Sequence, residues 1–308
     1  MIRQKAMSTI TPPLGFDAVI DFPYDERRAP SAAPAKLGVL GRYGTFEIRL
    51  ATTKKEVRKA QRLRYKVFFE EGHAVAPPGA ALVRRDLCRF DEICDHLLIV
   101  DTAARNSFGR VKPKVVGTYR LLRGEVAARH GGFYSQGEFD IAPLLSRHRD
   151  KRFLELGRSC VHPKYRSKRV IELLWRGLWI YAKHHKIDVL VGCASLSGTN
   201  PLALALPLSF LHHRATAEAE WQVCPCEGRG VPMAVLDKAA FDVRKGIAAL
   251  PPLIKAYVRI GAKFAAGAVI DESFGTIDVF TIMPIAEIEA RYIAYFGTPS
   301  DANQSFAA

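Results

Sequence analysis

The densest run of usable chemistry is Glu155-Leu156-Gly157-Arg158-Ser159-Cys160-Val161-His162-Pro163-Lys164-Tyr165-Arg166-Ser167-Lys168-Arg169. It places an acid and an arginine on a strand-like segment. A basic, proline-containing loop then leads into a long apolar helix. Free amides and the positive end of a helix dipole make such a turn a place for a phosphate. Arg166, Lys168 and Arg169 would add full charges there. Glu155 adds a carboxylate that could accept a proton. Strand alternation puts Glu155 and Arg158 on opposite faces, and a bulge near Gly157 would re-aim them.

A second charged position stands upstream. Thr53-Lys54-Lys55-Glu56 fits a helix-capping box. The helix it opens turns Val57, Ala60, Val67 and Phe68 inward, and Arg64 falls on the same face. A buried guanidinium is costly unless paired, so Arg64 either snorkels past the core or meets carboxylates. Asp91, Glu92 and Asp95 are the acids at hand. The six cysteines show no disulfide framework, and Cys224-Pro225-Cys226 lacks a second ligand pair, so no metal is expected. Cys160 reads as a core residue. His162 reads as a solvated loop residue, and His184, His185, His212 and His213 as helix-end surface residues.

The elements that must carry these groups alternate between strands and helices, which indicates an α/β or α+β fold. Strands are expected at His96 to Asp101, Val115 to Leu122, Phe153 to Val161, Val189 to Ala194 and Ile277 to Met283. A strong helix is expected from Val170 to His184, another starting at Asn200-Pro201, and a closing one through Phe296. Residues 1–44 read as a poorly ordered arm, 45–300 as one domain, and 301–308 as a tail. Leu202 to Leu211 suits either core or the wall of an apolar tunnel. Pro252 to Ala265 suits a helix that is either buried or interfacial.

With 45 Lys+Arg against 31 Asp+Glu, the net charge of +14 calls for an anionic partner: nucleic acid, an anionic membrane or an acidic protein. Apart from Tyr165 the basic loop has no interleaved aromatics, which sets nucleic acid aside. No apolar run reaches the roughly 18 residues of a spanning helix, and no signal peptide is visible. A cytoplasmic protein is expected, with room for peripheral contact with the inner membrane.

Val161-His162-Pro163-Lys164-Tyr165-Arg166, followed by its long helix, resembles the acyl-donor loop of the GNAT acyltransferase superfamily. That resemblance implies a mixed central sheet flanked by helices and splayed around the donor, with a bulged strand at this point. The order of Arg64 and Phe68, Asp91 and Asp95, Arg120 within Val116-Gly117-Thr118-Tyr119-Arg120-Leu121-Leu122, and Glu155 with Arg158 resembles the acyl-homoserine-lactone synthases. The core as a whole resembles the acyl-carrier-protein-dependent L-ornithine N(alpha)-acyltransferase family. The string Glu155 to Trp175, the strand end Gly192-Cys193-Ala194-Ser195 and the tail Phe274-Gly275-Thr276-Ile277-Asp278-Val279 carry it.

The resemblance implies Glu155 and Arg158 in catalysis. It implies Arg64, Phe68, Asp91, Asp95 and Arg120 around the acceptor, and Val161, Arg166, Ser167, Lys168 and Arg169 around the donor. It implies direct transfer of a 3-hydroxyacyl group to the α-amine of L-ornithine, with a backbone amide near Cys160 or Val161 for the oxyanion. The donor would be the 4'-phosphopantetheine thioester of an acidic acyl carrier protein, and no cofactor would be resident. The alternatives are an N-acyl amino acid or acyl-homoserine-lactone synthase with another amine, and a non-catalytic module that binds a carrier protein or membrane. Two departures stand out. Arg169 and Ile171 occupy positions where GNAT loops carry Gly or Ala, which fits a single phosphate better than a CoA pyrophosphate. The acids Asp91 and Asp95 are four residues apart, where the autoinducer synthases use three.

Overall fold

The computed structural model describes residues 37–72, 74–239 and 241–288. The chain begins with β1 (Val39–Tyr43) and β2 (Phe46–Leu50), followed by α1 (Lys54–Tyr65) and α2 (Pro78–Val83). Next come β3 (Asp95–Asp101), β4 (Lys114–Arg123), α3 (Gly124–Ala127), β5 (Phe139–Asp140) and α4 (Ala142–Arg147). The centre is β6 (Phe153–Val161), α5 (Lys168–His184), β7 (Val189–Ser197) and α6 (Ala205–Arg214). β8 (Cys224–Pro225), β9 (Gly230–Pro232), α7 (Val243–Ala249), α8 (Pro252–Arg259), β10 (Lys263–Asp271) and β11 (Thr276–Pro284) follow.

Nine strands form one mixed sheet in the order β1-β2-β3-β4-β6-β7-β11-β10-β9, and β5 pairs with β8 apart from it. Among the described residues, β6 and β7 are the one pair of the large sheet that runs parallel, joined by the crossover helix α5. One face is covered by α5, α6 and α8, through a core that includes Leu97, Tyr119, Leu156, Leu178 and Tyr257. The other face carries α1 over Leu98, Val100 and Val115, and beside it a cluster of Phe133, Phe139, Phe153, Trp221 and Phe280. Burial on both faces explains why the central strands read as almost continuous apolar runs. The expected mixed sheet flanked by helices is the fold observed.

Several expectations need correction. The arm expected over 1–44 is partly strand: Val39–Tyr43 pairs with β2, and Gly41 and Arg42 hide the alternation. Residues 1–36 lie outside the described residues, as does the closing helix expected through Phe296. Asn200 caps a turn by accepting from the Leu202 amide at 2.9 Å, and the helix starts later, at Ala205. Leu208, Phe210 and Leu211 are plain core, whereas Leu202 is exposed. The helix expected through Ala265 ends at Arg259. Gly261 has φ +97°, and Lys263 begins β10. Ile254 and Tyr257 of α8, with Ile260 just past its end, turn into the core, and Leu253 is left partly exposed. Among the described residues, no helix is long and apolar enough to cross a membrane.

Candidate active site

β6 and β7 pair only through Phe153↔Val189, Leu154↔Leu190 and Glu155↔Val191, and then part. Two local features open this fork. Opposite β4, register shifts between Thr118↔Cys160 and Arg120↔Gly157, so β6 carries one extra residue. Arg158 takes φ +51°, a left-handed conformation that costs a non-glycine residue about 1–3 kcal/mol. On the other arm, Gly192 has φ +153°, and a Cβ there would stand 2.3 Å from the Leu156 carbonyl oxygen. Backbone meets backbone at the base of the fork, and only glycine allows it.

A cavity of about 320 Å³ occupies the gap. Tyr119, Leu156 and Tyr257 line it from the α5 side of the sheet, and Tyr134 and Cys193 from the other, so it takes walls from both faces. Phe68, Arg120, Glu155, Arg158, Asp271 and Asp278 supply its chemistry. Phe68 reaches the wall on the wide turn Lys66–Glu71 that extends α1 and packs edge-on against Phe274 at 5.9 Å.

The bulge brings Glu155 and Arg158 to the same cavity. The Glu155 carboxylate accepts from the backbone amides of Tyr134 and Ser135, each at 2.8 Å, and from the Ser135 hydroxyl. It thereby caps the short turn Tyr134–Gly137. Arg158 lies against the rings of Tyr134 and Phe274, at 4.8 and 4.4 Å, and donates to the Tyr134 hydroxyl at 3.3 Å. Arg120 crosses the same Tyr134 ring at 5.2 Å. Two guanidiniums thus flank one aromatic ring at the cavity wall, a setting suited to a carboxylate.

Arg64 does meet carboxylates, but it is fully buried and is not part of the cavity wall. Its Nε donates to Asp86 at 2.7 Å, and its terminal nitrogens donate to Asp91 at 2.6 and 2.9 Å and to the Asp86 carbonyl at 2.7 Å. Burial would raise the Asp91 carboxyl, yet the Arg64 hydrogen bonds and charge, helped by Gln61, bring it down to about 2. Asp86 also faces Arg158 Nε at 3.3 Å, and Asp91 faces Arg120 at 3.5 Å. Arg64 and Asp91 therefore position the two site arginines rather than line the cavity. Asp95 stands apart from that network: it accepts from Tyr181 at 2.5 Å and faces Arg123 at 3.8 Å. The expected pair of Asp91 and Asp95 is not one unit.

The donor-loop residues gather at the end of β6. Arg166 is held by Glu71, at 2.5 Å, and by the Val161 carbonyl at 3.1 Å. Ser167 caps α5 by accepting from the Val170 amide at 3.4 Å. Lys168 is exposed, Arg169 lies over the Tyr43 ring, and both face Glu172. His162 is buried rather than solvated, with Lys114 at 3.3 Å from its Nε2. Burial first, then Lys114 and its neighbours, push its imidazole below the ordinary value. Cys160 is buried too, which pushes its thiol up to about 12, as suits a core residue and not a nucleophile.

Beside this loop runs a basic groove of about 650 Å³ that the sequence did not reveal. Lys55, Lys59, Arg62 and Lys66 line it from α1 and its extension, Arg105 and Lys112 from the β3–β4 connection, and Lys114 from the start of β4. No acid is among its lining residues. Burial first, then repulsion from Lys66 and Lys164, lower the Lys114 ammonium, with Asp101 opposing.

Sequence reasoning also missed Asp86, Glu138 and Tyr134, and quoted Asp278 without a role. The signal for Asp278 was available, since it is the lone charge in the apolar run Ile277 to Met283. Glu138, Cys193 and Asp278 place ligand-type atoms within 4.8 Å of one another and are the grouping among the described residues that could hold a cation. Cys224 and Cys226 are not part of it.

The acetyltransferase (GNAT) domain matches residues 63–176. A protein of Agrobacterium fabrum (strain C58) named L-ornithine N(alpha)-acyltransferase is 48% identical over 260 residues, which are 84% of this chain and 88% of its own. A protein of the same name from Rhizobium meliloti (strain 1021) is 49% identical over 270 residues, 88% of this chain and 90% of its own. Among solved structures, that of FeeM, an N-acyl amino acid synthase from uncultured soil microbes, covers 79% of this chain and 92% of its own. It is 11% identical, with a TM-score of 0.44.

Proposed function

The chain belongs to the L-ornithine N(alpha)-acyltransferase family, and we propose that it moves a 3-hydroxy fatty acyl group from acyl carrier protein to the α-amine of L-ornithine. The observation that carries the chemistry is the cavity through the β6–β7 fork, where Glu155, Arg120 and Arg158 meet. The acceptor carboxylate lies against the Arg120 and Arg158 guanidiniums. The α-amine, deprotonated toward Glu155, attacks the thioester carbonyl. The new C–N bond gives a tetrahedral oxyanion; as it collapses the C–S bond breaks, the second nitrogen proton passes to the departing pantetheine thiolate, and Glu155 returns the first proton to solvent. Past Glu155 the edge of β6 that faced β7 is unpaired among the described residues, so its backbone can meet the oxyanion in the gap.

The carrier-protein donor rests on the basic groove. An acidic carrier protein would dock across α1 and the β3–β4 connection and send its pantetheine arm past His162 and the donor loop into the fork. The bulky Arg169 and Ile171 at the start of α5 fit a donor with one phosphate. The test is mass spectrometry of the purified chain with 3-hydroxyacyl carrier protein and a pool of amino acids. Acyl-ornithine is the expected product. Acylation of another amine would keep the reaction class and overturn the acceptor. Carrier binding without any product would overturn the enzyme reading.

A further inference from the structure

Outside the groups already given roles, one cluster at the cavity is electrostatically incomplete. The sheet face that carries Glu155 also carries Cys193, Ser195 and Asp278, with Asp278 opposite Ser195 in the β7–β11 ladder. Glu138 approaches from the segment between the turn Tyr134–Gly137 and β5. Glu138 and Asp278 are 5% and 6% exposed, so both carboxyls are out of bulk water. Asp278 accepts from the Thr276 hydroxyl at 2.8 Å, and Oε2 of Glu138 is buried without a hydrogen-bond partner among the described residues. No lysine or arginine of the described residues makes an ion pair with either acid. Arg229, which donates to the Gly137 carbonyl, and Arg158 act only at longer range.

Two buried carboxylates this close repel unless a proton or a cation joins them. Burial first, then Asp278, hold the Glu138 carboxyl up at about 7, and burial likewise raises Asp278. Asp278 and Cys193 line the cavity, so a cation arriving with the acceptor can reach the pair. Arg120 and Arg158 line the same cavity. An amino acid with a carboxylate at one end and a second ammonium at the other would find both charges matched.

We infer that Asp278 and Glu138 form a subsite for the side-chain ammonium of a diamino acid acceptor, which leaves its α-amine at Glu155. The inference rests on the amino-acid acyltransferase reading and adds the residues that select a cationic acceptor. It also explains a regiochemical point: a side-chain nitrogen held as ammonium has no lone pair for attack, so the acyl group goes to the α-nitrogen.

The test compares kcat/KM for L-ornithine and L-norvaline, which has the same carbon chain without the second amine, using full-length protein and 3-hydroxyacyl carrier protein. Wild type should favour L-ornithine. Asp278→Asn should lower that preference by about 10- to 100-fold, chiefly through the KM for L-ornithine, as expected for loss of a charge-assisted contact. Glu138→Gln should lower it less. Calorimetry of L-ornithine and L-norvaline binding reads the same subsite without turnover. It also covers the case in which L-norvaline is too slow to follow. An unchanged preference in Asp278→Asn, an equal loss with both acceptors, or stoichiometric zinc at the cluster that Asp278→Asn removes would each overturn the inference. If wild type binds L-ornithine over L-norvaline through Asp278 but acylates nothing, the subsite stands and the acyltransferase reading falls.

Discussion

Glu155 and Arg158 grip opposite ends of the same residue: the Glu155 carboxylate accepts from the Tyr134 amide, while Arg158 donates to the Tyr134 hydroxyl. Three positions apart on one strand, they can do so because of the extra residue in β6 and the left-handed backbone at Arg158. Glu155→Gln tests the proton-transfer role. The amide can still accept one of the backbone hydrogen bonds but is a poor base. kcat should fall by about 10²- to 10⁴-fold. KM for L-ornithine should hold within a few-fold, and far-ultraviolet circular dichroism should be unchanged. A loss expressed only in KM would make Glu155 a positioning residue for Tyr134.

Arg64 is the strut beneath the site. Arg64→Leu leaves Asp86 and Asp91 buried without their main cation, and removing one partner of such a pair costs about 3–5 kcal/mol. Urea titration should show that loss at pH 7. Asp91 is held at about 2 in the fold, below the ordinary carboxylate range, so its contribution is present above that range and disappears as pH falls toward 2. The deficit of Arg64→Leu should therefore shrink in acid.

The sign is reversed at Glu138. Its carboxyl is raised to about 7 in the fold, by burial and by Asp278, with Asp271 adding and Arg229 opposing. The protonated form stabilises the fold below the ordinary carboxylate range, and that contribution is lost as pH rises through 7. Thermal unfolding of wild type should show lower stability at pH 8 than at pH 5.5 from this source. Glu138→Gln should flatten the trend and exceed wild type at pH 8. The same linkage predicts that L-ornithine binding near pH 6.5 releases protons, seen as a dependence of the binding enthalpy on the buffer's ionisation heat. L-norvaline should not release them.

Charge reversal in the basic groove separates the two halves of the donor. Lys59→Glu with Lys66→Glu should raise KM for acyl carrier protein by about tenfold or more and flatten its dependence on salt. Turnover of a short acyl-pantetheine thioester, which lacks the protein, should change by less than about twofold. Equal losses with both donors would place the groove's role elsewhere.

Much of the frame was legible because local chemistry decided it. β6 begins and ends at the residues of the expected strand, and Ser167 caps α5 where the basic loop gives way to the long apolar helix. Arg64 was legible as an inward guanidinium because helical spacing fixes its face. What it touches was not, since Asp86 and Asp91 arrive from 22 and 27 residues away. Asp95 misled for the same reason: Tyr181, 86 residues on, claims it. The bulge at Gly157 and Arg158 leaves no trace in the alternation pattern. The basic groove is assembled from two segments on either side of β3, neither of which reads as a site alone. Glu138 was invisible because only the β5–β8 pairing and the turn before it bring that segment over β7 and β11.

The cavity that takes its walls from both faces of the sheet has a kinetic consequence. On the proposed reading, a donor thioester and an amino acid can occupy that cavity together and need not wait for one another to leave. No acyl group has to be parked on the protein between them. Initial rates measured against each substrate at several fixed levels of the other should therefore give intersecting, not parallel, double-reciprocal lines. The free carrier protein and the lipid product should each inhibit in a pattern that reports a ternary complex.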